Sequence, residues 1–345
     1  MGEARPGTER DDRILLAHGG GGELMRELIR ADILPRLGCD AGAVLSDSAL
    51  LDLGSGRTAF TTDSYVVKPL FFPGGDIGTL AVCGTVNDLA VVGAEAAALS
   101  LAFIVEEGFP LDDFRRVVDS VGRTASQAGV RVVTGDVKVV ERGGADGLFV
   151  NTAGVGKVAE GVPLGAEHVL PGDRILLSGP IGNHGIAVLS AREGIAFETT
   201  VRSDVACLGD LAHAALTAGG EGVHWMRDPT RGGLAAALGE LAEDTQVEVT
   251  VDETAVSVDP DVRAACELLG LDPLVVANEG KLVAVVAEPA AENVLTALQD
   301  HPLGVKAAPV GFVGESGPGR VVLETRTGGR RLVELPYGEE LPRIC

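Results

Sequence analysis

Val130-Arg131-Val132-Val133-Thr134-Gly135-Asp136-Val137-Lys138-Val139-Val140 is the stretch on which the fold turns. It is rich in β-branched residues, and from Asp136 onward polar and apolar side chains alternate, the period of a strand. That alternation puts Asp136 and Lys138 on one face. On the C-terminal side, the loop Arg142-Gly143-Gly144-Ala145-Asp146-Gly147 leads into a second strand, Leu148–Val158, paired with the first. On the N-terminal side, Leu111–Ala128 reads as a helix with Phe114, Val117, Val118 and Val121 as its apolar stripe. Before it, Ala97–Val105 reads as a long strand and Gly78–Val92 as a helix.

Composition extends this alternation to the whole chain. Apolar residues make up 46% of the sequence but aromatics only 3%, so the core is built from Val, Leu, Ile and Ala. Strands alternating with Ala-rich helices give the α/β class. At 345 residues the chain exceeds one ordinary core and predicts two domains. The Gly- and Pro-rich stretch from Glu160 to Gly172 marks the boundary. The expected organisation is a flexible head over 1–12, domains over 13–160 and 161–325, and a C-terminal arm over 326–345.

In the first half, short strands are expected at Arg13–Ala17, Ala49–Leu53 and Thr58–Thr62. In the second half, strands are expected at Arg174–Ser178, Val247–Val251, Leu282–Ala287 and Ala307–Val313. Helices are expected near Gly185–Arg192, Ala206–Thr217, Gly233–Glu243 and Pro260–Leu269. The arm carries Gly328-Gly329, Pro336, Gly338 and Pro342, which reads as a short strand followed by extended chain.

A formal charge of −22 argues against a nucleic-acid or anionic-membrane surface, since both would repel it. It leaves room for a nucleotide, because Mg²⁺ can bridge carboxylates to phosphates. The five cysteines, Cys39, Cys83, Cys207, Cys266 and Cys345, are dispersed and odd in number, which suits a reducing compartment. Met1–Asp12 has no signal-peptide core, and the apolar run Leu89–Val105 is interrupted by Gly93 and Glu95 and short for a membrane span. A soluble, cytoplasmic protein is expected.

Several acidic residues fall at strand ends: Asp47, Asp63, Asp136 and Asp228, with Asp88 beside Asn87 in an apolar helix. Converging carboxylates can hold Mg²⁺ on a triphosphate. Taken one at a time, these residues read more readily as structural, Asp47 and Asp63 in Asx turns and Asp228 as an N-cap before Pro229. Asn87-Asp88 resists that explanation, because a carboxylate inside an apolar helix is costly without a partner. Lys138 reads equally as a phosphate contact and as a solvent-facing strand lysine. Asn278-Glu279-Gly280-Lys281 joins two apolar runs, where a turn suffices, although a buried Glu279 would make a general base. Gly179–Gly185 is Gly-rich between a strand and a helix and reads more readily as a plain turn than as an anion site. Pro342-Arg343-Ile344-Cys345 closes the chain with a thiol, a strong nucleophile as thiolate.

The order of these segments resembles the HypE family of carbamoyl dehydratases, which serve nickel–iron hydrogenase maturation. It runs from His18–Gly22 through Thr61-Thr62-Asp63, Asn87-Asp88, Thr134–Val139, Met226–Gly233 and Ala277–Lys281 to Pro342–Cys345, covering the chain from about Ile14 onward. More broadly it is similar to the superfamily of aminoimidazole ribonucleotide synthetase and selenophosphate synthetase. The resemblance implies an N-terminal domain that dimerises through its sheet, a second α/β domain, ATP–Mg²⁺ between them, and a mobile C-terminal arm. It implies that a HypF-type carbamoyltransferase loads a carboxamide onto Cys345, that ATP-dependent dehydration leaves a thiocyanate, and that a HypC–HypD complex accepts the cyano group. By motif, Cys345, Glu279 and Lys138 are the expected catalytic residues. Asp63, Asn87, Asp88, Gly135 and Asp136 are expected at the nucleotide, and Asp47, Asp63, Asp88 and Asp228 at the metal. Gly20 and Val137 depart from the family pattern, which has Ser and Thr there. No Cys precedes His18, which separates the chain from selenophosphate synthetases. The competing readings are a synthetase acting on a free small molecule and a non-enzymatic scaffold whose arm docks partners.

Overall fold

The structure, a computed structural model, describes residues 22–28, 30–31, 49–52, 56–161, 163–192, 200–334, 341 and 343–345. After helix α1 (Gly22–Leu28), the first half forms a five-stranded sheet. Its strands are β1 (Ala49–Asp52), β2 (Arg57–Tyr65), β5 (Ala94–Glu106), β6 (Arg131–Val140) and β7 (Leu148–Val158), in the order β1-β2-β7-β5-β6. β3 (Phe71–Phe72) and β4 (Gly75–Asp76) make a small separate hairpin. Only β5 and β6 pair in parallel; the other pairs are antiparallel.

One face of this sheet carries α2 (Ile77–Val91) and α3 (Leu111–Gln127). Asp76 caps α2, its Oδ1 accepting the Thr79 amide at 2.9 Å. α2 is apolar on all sides because it is buried on all sides. Val82 and Val86 pack with Leu99 of β5 and Val121 of α3, while Ala90 and Val91 belong to a core with Leu208, Leu211 and Met226 from the second half. α3 buries Val117, Val121 and Ala125. Val118, expected in that stripe, is exposed, because a residue one step from Val117 is turned about 100° away.

The second half builds a seven-stranded sheet from β8 (Arg174–Leu177), β9 (Val223–Arg227), β10 (Val247–Asp252), β11 (Val283–Val286), β12 (Ala308–Ser316), β13 (Arg320–Glu324) and β14 (Arg330–Val333). Their order is β14-β13-β10-β12-β8-β11-β9, with β10–β13 the one parallel pair. β11, in the sheet interior, is buried on both faces, and its Val-Ala-Val-Val run shows no alternation. α5 (Gly209–Gly219) and α8 (Glu288–Asp300) cover one side, and α6 (Gly233–Thr245) covers the other. α4 (Asn183–Ser190) and α7 (Pro260–Leu269) share a further cluster with Val276.

Most expected elements are present within a few residues, but β6 and β7 are not paired with each other as expected: β5 lies between them, parallel to β6 and antiparallel to β7. β9, α8 and β13 were not anticipated. α8 opens on Glu288-Pro289, with proline in its first turn where no amide donor is needed. α1 is tied to α6 by Arg26, whose Nη2 lies 2.9 Å from Asp244 Oδ1. No helix among the described residues is long and apolar enough to cross a membrane.

Candidate active site

The expected acidic residues Asp63 and Asp88 meet at the seam between β2 and α2. Thr61 donates to Asp88 Oδ2 at 2.7 Å, and the Tyr65 hydroxyl donates to Asp63 Oδ2 at 3.1 Å. Tyr65 also contacts Thr85 at 3.3 Å, so the carboxylates are held through side chains that are themselves buried. Burial first, then the charges of Asp63 and Asp88, push the Tyr65 phenol well above its ordinary value and keep it a donor.

The second half supplies Asn278-Glu279-Gly280-Lys281. Asn278 is fully buried and ties three loops together. Its Oδ1 accepts the Gly182 amide at 2.7 Å, and its Nδ2 donates to Pro229 O at 2.9 Å and to Val276 O at 3.2 Å. Asp228, just before Pro229, is thereby set beside Glu279. Gly280 has to be glycine, since a Cβ there would stand 1.8 Å from the Asp204 carbonyl oxygen. Asp204 Oδ1 receives the Glu279 amide at 3.3 Å, and Asp204 Oδ2 lies 2.9 Å from Lys281 Nζ.

Glu279 is 2% exposed, and its Oε1 has no hydrogen-bond partner among the described residues. Burial first, then Asp228, Asp204 and Asp63, push its carboxyl well above the ordinary range, with Arg231 opposing. A raised carboxyl pKa among other carboxylates is the state expected of a general base.

Asn87, expected at the nucleotide, sits at the junction of the two halves. It is fully buried and its amide is engaged at both ends: Oδ1 accepts the Leu208 amide at 2.7 Å, and Nδ2 donates to Ala206 O at 3.0 Å and to Glu279 O at 3.5 Å. Asn87 therefore clamps α2 to the segment preceding α5. Gly135 likewise has a packing reason, since a Cβ there would come within 2.2 Å of Leu101 O on the paired strand.

Asp136 and Lys138 do share a face, 2.7 Å apart, as their spacing implied. That face is the open one. Asp63, Thr152, Leu101 and Gly135 stand in one row across the sheet, with Thr152 turned under α2. Asp136, the next residue, points to the other side. A single chain therefore does not bring Lys138 to Glu279, and Lys138 is 71% exposed. Asp47 and residues 18–21 of the Gly-rich start lie outside the described residues. In the Gly179–Gly185 turn, the Ile181 amide donates to Ser257 O at 3.0 Å, the Gly182 amide to Asn278 Oδ1 and the Gly185 amide to Ala277 O at 3.0 Å.

The end of the chain lies against this seam. Val66 N–H donates to Cys345 O and Lys68 N–H to Arg343 O, both at 3.1 Å, in antiparallel sense. Ile344 is 2% exposed and shares a cluster with Tyr65, Val67, Phe72, Ile77 and Ala277; Cys345 packs against the same cluster. Cys345 is thus one backbone contact from Tyr65, and Ala277 is two residues from Glu279.

The donors suit Mg²⁺. Asp63, Asp88 and Asp228 are hard oxygen ligands, and the field that raises Glu279 is one a cation would relieve. Among the described residues, no three His, Cys, Asp or Glu side chains converge to hold an ion by themselves. Mg²⁺ in nucleotide sites takes few protein carboxylates and draws other ligands from phosphates and water.

Residues 45–158 match the family described as AIR synthase related protein, N-terminal domain, and residues 171–324 match its C-terminal domain. The carbamoyl dehydratase HypE of Bradyrhizobium diazoefficiens is 51% identical over 336 residues, 97% of each chain. The chain belongs to the HypE family. Among solved structures, a hydrogenase maturation protein HypE in complex with ATP is 46% identical, with a TM-score of 0.80 over 96% of this chain and all of that one. A HypE–HypF complex gives 0.81 at 45% identity, covering 85% of this chain and 94% of the matched one.

Sequence reasoning missed four residues of this HypE site, among them Tyr65, whose hydroxyl holds Asp63. Asp204 has no local pattern and matters only through contacts with residues 279 and 281. Lys281 was visible within the 278–281 segment, yet its pairing was not. His184 lay inside a turn read for its glycines.

Proposed function

We propose that this chain carries out ATP-dependent dehydration of an S-carboxamide on its own Cys345 to a thiocyanate, supplying the cyanide ligand for iron in nickel–iron hydrogenase maturation. The observation that carries the reading is the docking of residues 343–345 along Val66–Lys68, with Cys345 packed against the cluster that contains Tyr65 and Ala277. Family membership and the kinship to an ATP complex support it.

The amide oxygen attacks the γ-phosphorus of ATP, and the bond to the β-phosphate oxygen breaks, releasing ADP. Phosphate then leaves carbon as the two N–H protons are lost, giving S–C≡N. The phosphoryl step matters because a bare amide oxygen is a poor leaving group. Glu279, buried and with a raised pKa, takes a proton from nitrogen. Asp63, Asp88 and Asp228, with Asp47, would hold Mg²⁺, which neutralises the triphosphate. Tyr65 holds Asp63, and Asp204, itself paired with Lys281, receives the Glu279 amide.

The reading includes a homodimer built on the open face of the first sheet, where Phe60 of β2 and Ile104 of β5 are exposed, the latter beside the edge strand β6. Among the described residues β6 pairs on one side only, and its edge, with Val133, Val137 and Val139 exposed on the face opposite Asp136 and Lys138, is a surface that folded proteins ordinarily cover. Lys138 and Asp136 stand on this open face, so their part in amide and nucleotide handling is assigned across the dimer contact. A HypF-type carbamoyltransferase loads Cys345, a HypC–HypD complex receives the cyano group, and the reaction is cytoplasmic. Residues 13–160 serve as the dimerising, nucleotide-binding domain and 161–325 as the second.

Incubating the protein with ATP and the carbamoylating partner should lower the mass of the Cys345 peptide by one water relative to its carbamoylated form. Cys345→Ala should show neither species. A carbamoylated peptide that persists with ATP present would overturn the reading.

A further inference from the structure

Three consecutive carbonyls at the end of the chain are each held by a donor. Arg343 O receives Lys68 N–H at 3.1 Å and Arg192 Nη2 at 2.9 Å; Cys345 O receives Val66 N–H at 3.1 Å. The middle one, Ile344 O, lies 2.9 Å from His184 Nε2. His184 is fully buried in the first turn of α4, so this bond is the one made by a side chain sealed from water.

The chemistry of the partners fixes the proton. A carbonyl oxygen only accepts, so Nε2 carries the hydrogen. Nδ1, 2.8 Å from Ser203 Oγ, then accepts the serine hydroxyl hydrogen in the neutral ring. Ser203 is held in turn by its own backbone: its amide donates to Pro73 O at 2.8 Å, and its Oγ accepts the Val205 amide at 3.1 Å. The Phe72 ring meets the imidazole edge-on at 5.4 Å between centroids. Burial holds the imidazole below its ordinary pKa and therefore neutral.

We propose that His184, oriented by Ser203, is a positioning residue that latches the tail in its inward position and so sets how Cys345 divides its time between the seam and solvent. The inference rests on the tail-cysteine reading above. With the tail inward, the Ile344 side chain fills the apolar cluster and its carbonyl satisfies His184. With the tail outward, a buried N–H and an apolar niche are both left open. A buried donor without a partner is disfavoured far more than a hydrogen bond is favoured, so the latch biases the equilibrium inward without making it permanent. The carbamoylating partner must work against that bias, and dehydration benefits from it. His184 touches no reacting atom; it acts through the backbone of residue 344.

The test reads Cys345 directly. The full-length protein is alkylated with iodoacetamide without ATP, and modification of the Cys345 peptide is followed by mass spectrometry. His184→Leu should raise that rate about tenfold, the loss of one buried hydrogen bond and its partner. His184→Gln, which can still donate to Ile344 O, should restore it to within about threefold. In pre-carbamoylated protein, His184→Leu should slow single-turnover dehydration by a similar factor while ATP affinity stays unchanged. Ile344→Ala loosens the same latch from the tail side and cannot unfold α4; it too should speed alkylation, and adding it to His184→Leu should give less than the product of the two effects. Wild-type alkylation rates in both His184→Leu and Ile344→Ala would overturn the latch. So would equal losses of melting temperature in the Leu and Gln variants with no rescue, which would make His184 merely structural. If alkylation responds as expected and no thiocyanate forms in any variant, the latch stands and the dehydratase reading falls.

Discussion

Cys83 of α2 and Cys207, which precedes α5, bring their sulfurs to 3.3 Å across the junction of the two halves. They are 124 residues apart in sequence, and their neighbours Asn87, Ala206 and Leu208 form the clamp that holds them there. The two thiols share a hydrogen bond, which draws the Cys207 pKa down and, with burial, sends that of Cys83 well up. Cys207, the more accessible and more acidic thiol, is the one positioned to react first.

Diamide treatment should therefore join the pair, removing two hydrogens and reducing the azo reagent to its hydrazine. The expected readout is a dithiothreitol-reversible mass loss of two hydrogens confined to the Cys83 and Cys207 peptides. Cys83→Ser should abolish it. A cross-link closing so long a loop should raise stability by about 3–5 kcal/mol in urea titration.

Asn87→Ala leaves the Leu208 amide and the Ala206 carbonyl without their partner in a dry seam. A loss of about 3 kcal/mol is expected from urea unfolding, with little change in slope. An effect confined to ATP affinity, with stability unchanged, would instead return Asn87 to the nucleotide.

Glu279 predicts a pH signature. A carboxyl whose folded-state pKa stands above the ordinary 4.5 binds its proton more tightly folded than unfolded. Its contribution to stability is complete below pH 4.5 and is lost as pH rises through the folded value. Glu279→Gln should accordingly raise the melting temperature at neutral pH by a few degrees, roughly 2–4 °C per kcal/mol. It should also abolish dehydration while ATP still binds, and remove the rise of the wild-type rate with pH.

The open face of the first sheet predicts complementation. Lys138→Ala and Glu279→Gln are each expected to be inactive alone. If residue 138 serves the partner's site, mixing the two should recover about a quarter of the wild-type rate, because half the dimers are hybrid and each has one intact site. Val139→Lys on the exposed β6 edge should shift the protein toward monomer in light scattering and remove that recovery.

Local pattern made much of this legible in the sequence. Leu148–Val158 and Pro260–Leu269 coincide with β7 and α7 because alternation, a proline at the helix start and a glycine at its end are read within a few residues. The shared face of Asp136 and Lys138 followed from period two. Which side of the sheet that face belongs to did not, since it depends on where α2 and α3 land. Asp204 and Lys281, Cys83 and Cys207, and His184 with Ile344 became significant only through contacts spanning 77, 124 and 160 residues of chain, respectively. Asn87 shows the same limit: a polar side chain inside an apolar helix marks an obligation to pair, and the sequence does not say with what.

The last turn of α2 is shared property. With Ala90 and Val91 embedded among Leu208, Leu211 and Met226, any jaw-like parting of the two halves would tear a common core rather than swing about a hinge. Traffic through the seam then has to be carried by something thin. On the proposed reading, the three-residue peptide held along Val66–Lys68 by a few hydrogen bonds is the part that moves, while the walls of the seam stand still.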